Sequence, residues 1–260
     1  MIIAVSDVHL GCDGSNRDAF IDFLRMCDTP DVEHLVLLGD ILDFWRRNNA
    51  QVVIENSDVL DMISGLKAKN VHYVVGNHDY SILRLSKRYD GHYQFPVQRS
   101  LRLTDGGVKL YFIHGFEMEV LTTYEPLSVE AYEKFCERMC YSEDVLGEYA
   151  SNLWNWIENR KGAWWRYRSI RTDSRNPTDE NKIRGLALSK GKYLLLGMQR
   201  DEKLIFGHTH DPFLSPDNMV ANTGSWFVCH GGNNGCLLNT YVKIVDGKME
   251  LKRFDGKGPL

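Results

Sequence analysis

The sequence predicts an α/β fold, a largely parallel sheet covered by helices, with a helical insertion over residues 117–200. Two observations predict it. Short apolar runs alternate with helix-periodic segments through the first 115 residues, and a tryptophan- and arginine-rich stretch then interrupts the pattern before strands resume at Leu204. Short buried strands separated by helices are the mark of βαβ units, whose strands are covered on both faces and so read as unbroken apolar runs.

Ile2–Val5 is the first such run. Ala19, Phe20, Phe23, Leu24 and Cys27 then recur at helical spacing within Asn16–Cys27. Leu35–Leu38 is a second strand, and Ser57 is placed to cap a helix whose apolar face is Val59, Leu60, Ile63 and Leu66. Val71–Val75 and Leu110–Ile113 are further strands. Ser128–Tyr141 is helical, with Val129, Tyr132, Phe135, Cys136 and Met139 on one face. Asp173–Asp179, holding Ser174, Asn176 and Pro177, is expected as a loop. Strands are expected at Leu204–Phe206, Asn218–Asn222, Ser225–Cys229, Leu237–Val245 and Lys248–Phe254, with Asp246-Gly247 as a hairpin turn. The whole chain, 1–260, reads as a single domain carrying the insertion within it.

The 260 residues are 43% apolar and 25% charged, with a net charge of −4. That balance argues against general nucleic-acid or membrane binding by bulk charge. There is no stretch of about 18 apolar residues and no signal-peptide pattern at the start, so a cytoplasmic chain is expected, with contact to a membrane surface left open. None of the six cysteines forms a CxxC pair, and reduced, mostly buried thiols are expected. From Trp154 to Arg175 six basic residues stand against two acidic ones, and the stretch holds Trp154, Trp156, Trp164 and Trp165. This cluster suits a lid with a mixed surface, a lipid or phosphate contact, or a partner subunit.

Five polar clusters each follow an apolar run: Asp7-Val8-His9, Gly39-Asp40-Ile41-Leu42-Asp43, Gly76-Asn77-His78-Asp79, His114-Gly115 and Gly207-His208-Thr209-His210. The C-terminal ends of parallel strands share one edge of the sheet, so five clusters spread over two hundred residues can converge there. Their mixed oxygen and nitrogen donors suit Mn²⁺, Fe²⁺, Zn²⁺ or Co²⁺ better than a thiolate-seeking ion. Asp7 and His9 are one strand period apart, so both side chains can point the same way. The glycines before Asp40, Asn77 and His208 permit sharp turns at the strand ends.

This ordered set, DxH, GDxxD, GNHD, H and GHxH, resembles the calcineurin-like metallophosphoesterase superfamily. Asn222-Thr223-Gly224-Ser225-Trp226 also resembles the strand-end turn that closes that fold. The resemblance implies a β-sandwich flanked by helices and a site for two divalent metal ions, with Mn foremost and Fe, Zn, Co or Ni as alternatives. It implies that Asp7, His9, Asp40 and His210 hold one ion, and Asp40, Asn77, His114 and His208 the other. It gives His78 a catalytic role at the substrate phosphate, Asp79 the task of orienting His78, and Asp43 a supporting place behind the ligands. Two ions about 3.5–4 Å apart activate water near neutral pH and stabilise an in-line displacement.

Gly-Asp-Ile-Leu-Asp-Phe-Trp, with the insertion ahead of Gly-His-Thr-His, is similar to UDP-2,3-diacylglucosamine hydrolases, which cleave the pyrophosphate of a lipid-linked nucleotide sugar. Those enzymes commonly carry arginine where this chain has His78. The expected substrate is a small-molecule or lipid-linked phosphoester, with a phosphodiester or pyrophosphate bond hydrolysed. The insertion is a candidate peripheral membrane contact through Arg160, Lys161, Arg166, Arg168 and Arg171. Nucleic acid is not the expected partner, and a homo-oligomer is left open. A nuclease and a non-enzymatic scaffold are the competing readings.

Overall fold

The computed structural model describes residues 1–88, 95–124, 127–141, 177–228 and 238–256. The four insertion tryptophans, the basic residues among them, Cys229 and Cys236 lie outside that set. Two mixed sheets form the centre of the fold. The first has the order β11-β10-β1-β2-β3-β4, built from Lys248–Arg253, Thr240–Val245, Ile2–Val5, His34–Leu38, Asn70–Val74 and Val97–Gln98. Strands β1 to β4 run parallel, and β10 pairs antiparallel to β1. The second has the order β5-β6-β7-β9-β8, built from Ser100–Asp105, Val108–Ile113, Glu202–Phe206, Val220–Asn222 and Phe213–Leu214. The single largely parallel sheet read from the apolar runs is thus two sheets, each with an antiparallel margin.

Alternation along the strands explains the layering. Ile2, Ala4, Val36, Leu38 and Val74 face Leu110, Phe112, Ile205 and Ala221 of the second sheet in one buried cluster. Their neighbours Ile3, Val5, Leu35 and Leu37 turn to the opposite face, against Phe20, Phe23 and Leu24 of α1 (Arg17–Cys27) and Val59 and Ile63 of α3 (Ser57–Gly65). The short α2 (Asn49–Glu55) adds Val52 to that layer. So do α4 (Ser81–Arg88) and α6 (Val129–Met139), through Ile82, Leu83, Tyr132, Phe135 and Cys136. The outer face of the second sheet is covered by α5 (Phe116–Thr123), α7 (Pro177–Leu188) and α8 (Gly191–Leu195). The fold is therefore a β-sandwich with a helical layer on each side.

Several expectations shift at the edges. Ser57 is the first helical residue and Asn56 precedes it as the cap position, without a side-chain cap bond. Of the loop expected over 173–179, residues 173–176 lie outside the described set, and Pro177–Asp179 are helical, the first turn being where proline loses no internal hydrogen bond. Ser225–Val228, the described part of an expected strand, forms only isolated bridges from Ser225 to Leu238 and from Phe227 to Ser15. Asn218 leaves the strand expected for it by adopting a left-handed backbone at φ 56°. Among the described residues, Cys12, Cys27, Cys136 and Cys140 are free thiols. No helix among the described residues is long and apolar enough to cross a membrane.

Away from the strand ends that carry the polar clusters, Nδ1 of His34, the first residue of β2, lies 2.9 Å from Nε2 of His72 in the middle of β3. Burial, then the neighbouring His34, lowers the His72 pKa to about 4. A histidine depressed on folding binds protons more readily in the unfolded chain. Stability is therefore lost as pH falls from the ordinary value near 6.5 toward 4. The full shift corresponds to ~3 kcal/mol, and half-exposure reduces this to about 1 kcal/mol. His72→Gln is expected to lose less melting temperature than the wild type between pH 7.5 and pH 5, by about 2–4 °C. Identical slopes in the two proteins would refute this.

Candidate metal centre

The five clusters do converge. Asp7 and His9 follow β1, Asp40 follows β2, Asn77 follows β3, His114 follows β6, and His208 and His210 follow β7. All lie at the C-terminal ends of their strands. His210 is slightly exposed, and the other six are buried. His210 Nε2 is 3.1 Å from Asp7 Oδ1 and 3.3 Å from His9 Nε2. His114 Nε2 is 3.2 Å from Asp40 Oδ2, and His9 Nε2 is 3.9 Å from that same oxygen. Asp7, His9 and His210 form one group of donors able to hold an ion, and Asp40, His114 and His208 form another. His9, Asp40 and His78 form a third, overlapping group.

The backbone that delivers them is not extended. Asp7, His9, Asp40, His208 and His210 all have left-handed φ, between 53° and 66°. The expectation that Asp7 and His9 share a direction through strand alternation therefore fails, because the strand ends at Val5. Aspartate and histidine tolerate this region better than most side chains, and such residues each cost about 1–3 kcal/mol. Neighbouring bonds hold them there: Asp7 N–H donates to Gly39 O, and His9 N–H to Asp40 O. The turn at 222–226 braces Asp7 from the other side. Trp226 N–H and the Ser225 hydroxyl both donate to Asp7 O. Close approach, more than turning, requires two of the motif glycines. A Cβ on Gly76 would collide with Asp40 Oδ1, and one on Gly207 with Ser6 Oγ.

Each carboxylate is divided between structure and site. Asp40 Oδ1 accepts from His78 N–H at 2.8 Å, while its Oδ2 is buried with no hydrogen-bond partner. Asp7 Oδ2 accepts from His208 N–H at 2.9 Å and from the Ser6 hydroxyl, while its Oδ1 is likewise buried, makes no well-aligned hydrogen bond, and has His210 Nε2 3.1 Å away. Asn77 Oδ1 and His114 Nε2 are also buried without a partner. Orphaned buried polar atoms are costly in a folded chain, and four of them on these motif residues fit a divalent ion as the missing partner.

The supporting bonds fix which histidine atoms face inward. His114 Nδ1 is 2.9 Å from Leu38 O, so it donates there and turns Nε2 inward, the atom whose lone pair an ion would take in place of a proton. His9 Nδ1 is 3.0 Å from Asp43 Oδ2, with the same result. Burial alone would lower the His114 pKa, but Asp40 and Asp7 carry it up to about 10. Burial alone would raise Asp40, but His114 and then His78 hold it well below the carboxylate range. Carboxylates that hold a proton on a buried imidazole create a potential that a divalent cation can satisfy instead.

Asp43 does more than its sequence position suggested. Its Oδ1 accepts from the backbone N–H groups of Trp45 and Arg46, capping the turn. Its Oδ2 meets His9, lies 2.6 Å from Arg46 Nη1, and lies 3.1 Å from His78 Nδ1. The orienting role expected of Asp79 is corrected here. Asp79 accepts from Gly76 N–H, Ile41 N–H and the Tyr73 hydroxyl, and so ties the GNHD turn to the GDxxD turn. His78 is held instead by Asp43, by Trp45 stacked on its ring at 4.4 Å, and by the edge of His9 at 4.8 Å. Trp45 entered the sequence reading only as the end of the Gly-Asp-Ile-Leu-Asp-Phe-Trp stretch, with no role of its own.

The chain is 26% identical over 139 residues to a UDP-2,3-diacylglucosamine hydrolase of Haemophilus influenzae, an alignment covering 52% of this chain and 57% of that one. The chain thus spans little more than half the length of the curated relatives it matches. Among solved structures, vacuolar protein sorting 29 from Cryptosporidium parvum aligns at 14% identity and a TM-score of 0.41, covering 96% of this chain and 94% of that one. A novel archaeal phosphodiesterase aligns at 13% identity and a TM-score of 0.43, covering 96% and 98%. The sequence profile of the calcineurin-like phosphoesterases matches residues 1–212, from the first strand through both histidines of the last motif, and the chain belongs to that family.

Proposed function

We propose that this protein is a metal-dependent hydrolase of phosphodiester or pyrophosphate bonds, with a nucleotide-linked sugar or lipid as its substrate class. One observation carries the reading: Asp7 Oδ1, Asp40 Oδ2, Asn77 Oδ1 and His114 Nε2 are buried without a well-aligned hydrogen bond, two of them facing each other at 3.2 Å. Asp7, His9, Asp40 and His210 would hold one ion, and Asp40, Asn77, His114 and His208 the other. When bound, two such ions supply a water activated near neutral pH and neutralise phosphate charge.

The chain's own groups then position and protonate. Asp40 presents one oxygen, Oδ2, to both ligand groups and spends the other on His78 N–H. His78 directs Nδ1 to Asp43, which leaves Nε2 as the atom that can pass a proton to the leaving oxygen. Trp45 covers one face of that imidazole and keeps bulk water from it. The nucleotide-sugar reading is supported by the curated relative's printed activity and by the GDILDFW stretch that ends on Trp45.

The test is metal removal followed by add-back. Chelated protein is expected to be inert toward bis-p-nitrophenyl phosphate, and Mn²⁺ to restore turnover more fully than Fe²⁺, Zn²⁺, Co²⁺ or Ni²⁺. UDP-sugars and UDP-linked lipids are expected to outperform phosphomonoesters and linear DNA in the same assay. A protein that binds two ions yet hydrolyses none of these would overturn the enzymatic reading.

A further inference from the structure

Among the described residues, two histidines of the centre meet carboxylates from outside the proposed ligand set, and only one of those carboxylates lies in a motif. His9 is backed by Asp43. His208 is backed by Glu119, which lies on α5, five residues past His114, and matches none of the five clusters. His208 Nε2 is 2.8 Å from Glu119 Oε2, with the histidine side chain 1% exposed and the glutamate 13%. An imidazole nitrogen that close to a carboxylate oxygen must carry the hydrogen, since two lone pairs would repel. Nε2 is then the donor, and Nδ1 holds the lone pair.

We propose that Glu119 is a positioning residue of the metal centre. It fixes His208 in the tautomer that offers Nδ1 to the ion shared with Asp40 and His114. His9 has the reverse arrangement, with Nδ1 backed and Nε2 facing inward. Each half of the centre therefore contains one histidine set by a carboxylate. The inference rests on the two-ion reading given above.

Glu119 is itself fixed from the helical side. Its Oε1 accepts from the Tyr124 hydroxyl at 3.2 Å, and the Tyr124 ring stacks on Tyr132 of α6 at 5.7 Å. Tyr132 is buried against Phe116 and Phe135. The carboxylate thus joins α5 and α6, the start of the segment expected to form the insertion, to the His208 half of the centre. No comparable bond among the described residues runs from these helices to Asp7 or His9.

Metal titration of the full chain tests this. Calorimetry with Mn²⁺ gives affinity and stoichiometry, and the visible absorption of bound Co²⁺ reports ligand geometry at each position. Wild type is expected to take up two ions. Glu119→Ala is expected to bind one ion as before and the other about 10–100-fold more weakly, the range for losing a carboxylate behind a ligating histidine. Glu119→Gln keeps an acceptor oxygen and is expected to recover most of that affinity and the wild-type Co²⁺ spectrum. Tyr124→Phe is expected to weaken the same ion more mildly.

A Glu119→Ala protein with two wild-type affinities, or a Glu119→Gln protein no better than alanine, would overturn the inference and leave the two-ion reading standing. Should alanine prevent folding, the glutamine and Tyr124→Phe variants decide: equal wild-type binding in both overturns it. A wild type that takes up fewer than two ions overturns the two-ion reading itself.

Discussion

Asp40→Ala is expected to empty or cripple both metal positions and to reduce turnover by well over the ~100-fold that marks loss of a group behind a ligand. One Asp40 oxygen, Oδ2, lies 3.2 Å from His114 Nε2 and 3.9 Å from His9 Nε2. Its charge also opposes the mutual repulsion of two cations. Alanine removes a second feature, the acceptor for His78 N–H, so a folding effect must be separated from a metal effect. Asp40→Asn does so, because the amide oxygen can keep the bond to His78 while the charge is gone. Both variants are expected to lose metal in equilibrium dialysis, with asparagine retaining near-wild-type secondary structure by circular dichroism. Two ions bound at full occupancy in Asp40→Ala would refute the bridging role.

His78→Ala is expected to lower kcat by about 10²–10⁴-fold, the usual contribution of a positioned proton donor, while both ions remain bound. The expectation is tied to the leaving group. A p-nitrophenolate departs with little need of a proton, so the loss is expected to be smaller for that substrate than for a nucleotide-sugar pyrophosphate. His78 also belongs to a donor group with His9 and Asp40, which gives the experiment its sharper edge. Loss of an ion in His78→Ala would place the residue among the ligands and remove it from proton transfer. His78→Asn, which cannot donate from an acidic nitrogen, is expected to match alanine in rate.

Much of the site could be read because its residues break strong apolar patterns. Asp40 follows Leu35–Leu38 and a glycine, and His114 follows Tyr111–Ile113, so charge and imidazole stand out at the ends of buried strands. The division into two sheets could not be read, since pairing between β6 and β7 joins residues about ninety positions apart. β5 was missed although Leu101 and Leu103 alternate with Arg102 and Thr104, because an edge strand buries little and carries a weak apolar signal. Asp43 and Asp79 are chemically equivalent and both lie near His78 in space. Only the turns that hold them decide which carboxylate faces its ring. Glu119 lies on α5, a short helix whose polar and apolar residues are not sorted onto separate faces, so neither periodicity nor a motif marks it.

The proposed ligands come from two different sheets. Asp7, His9, Asp40 and Asn77 follow strands of the first, whereas His114, His208 and His210 follow strands of the second. An ion bound between Asp40 and His114 is therefore a clasp across the sandwich as well as a chemical group. It fastens one open end of the two layers, while the apolar cluster of Ile2, Val36, Leu110 and Ile205 holds them face to face below. Shear of one sheet against the other would pull directly on the ligands. With an ion in place, the geometry of the proposed centre and the mechanical rigidity of this end of the molecule would be set by the same few bonds.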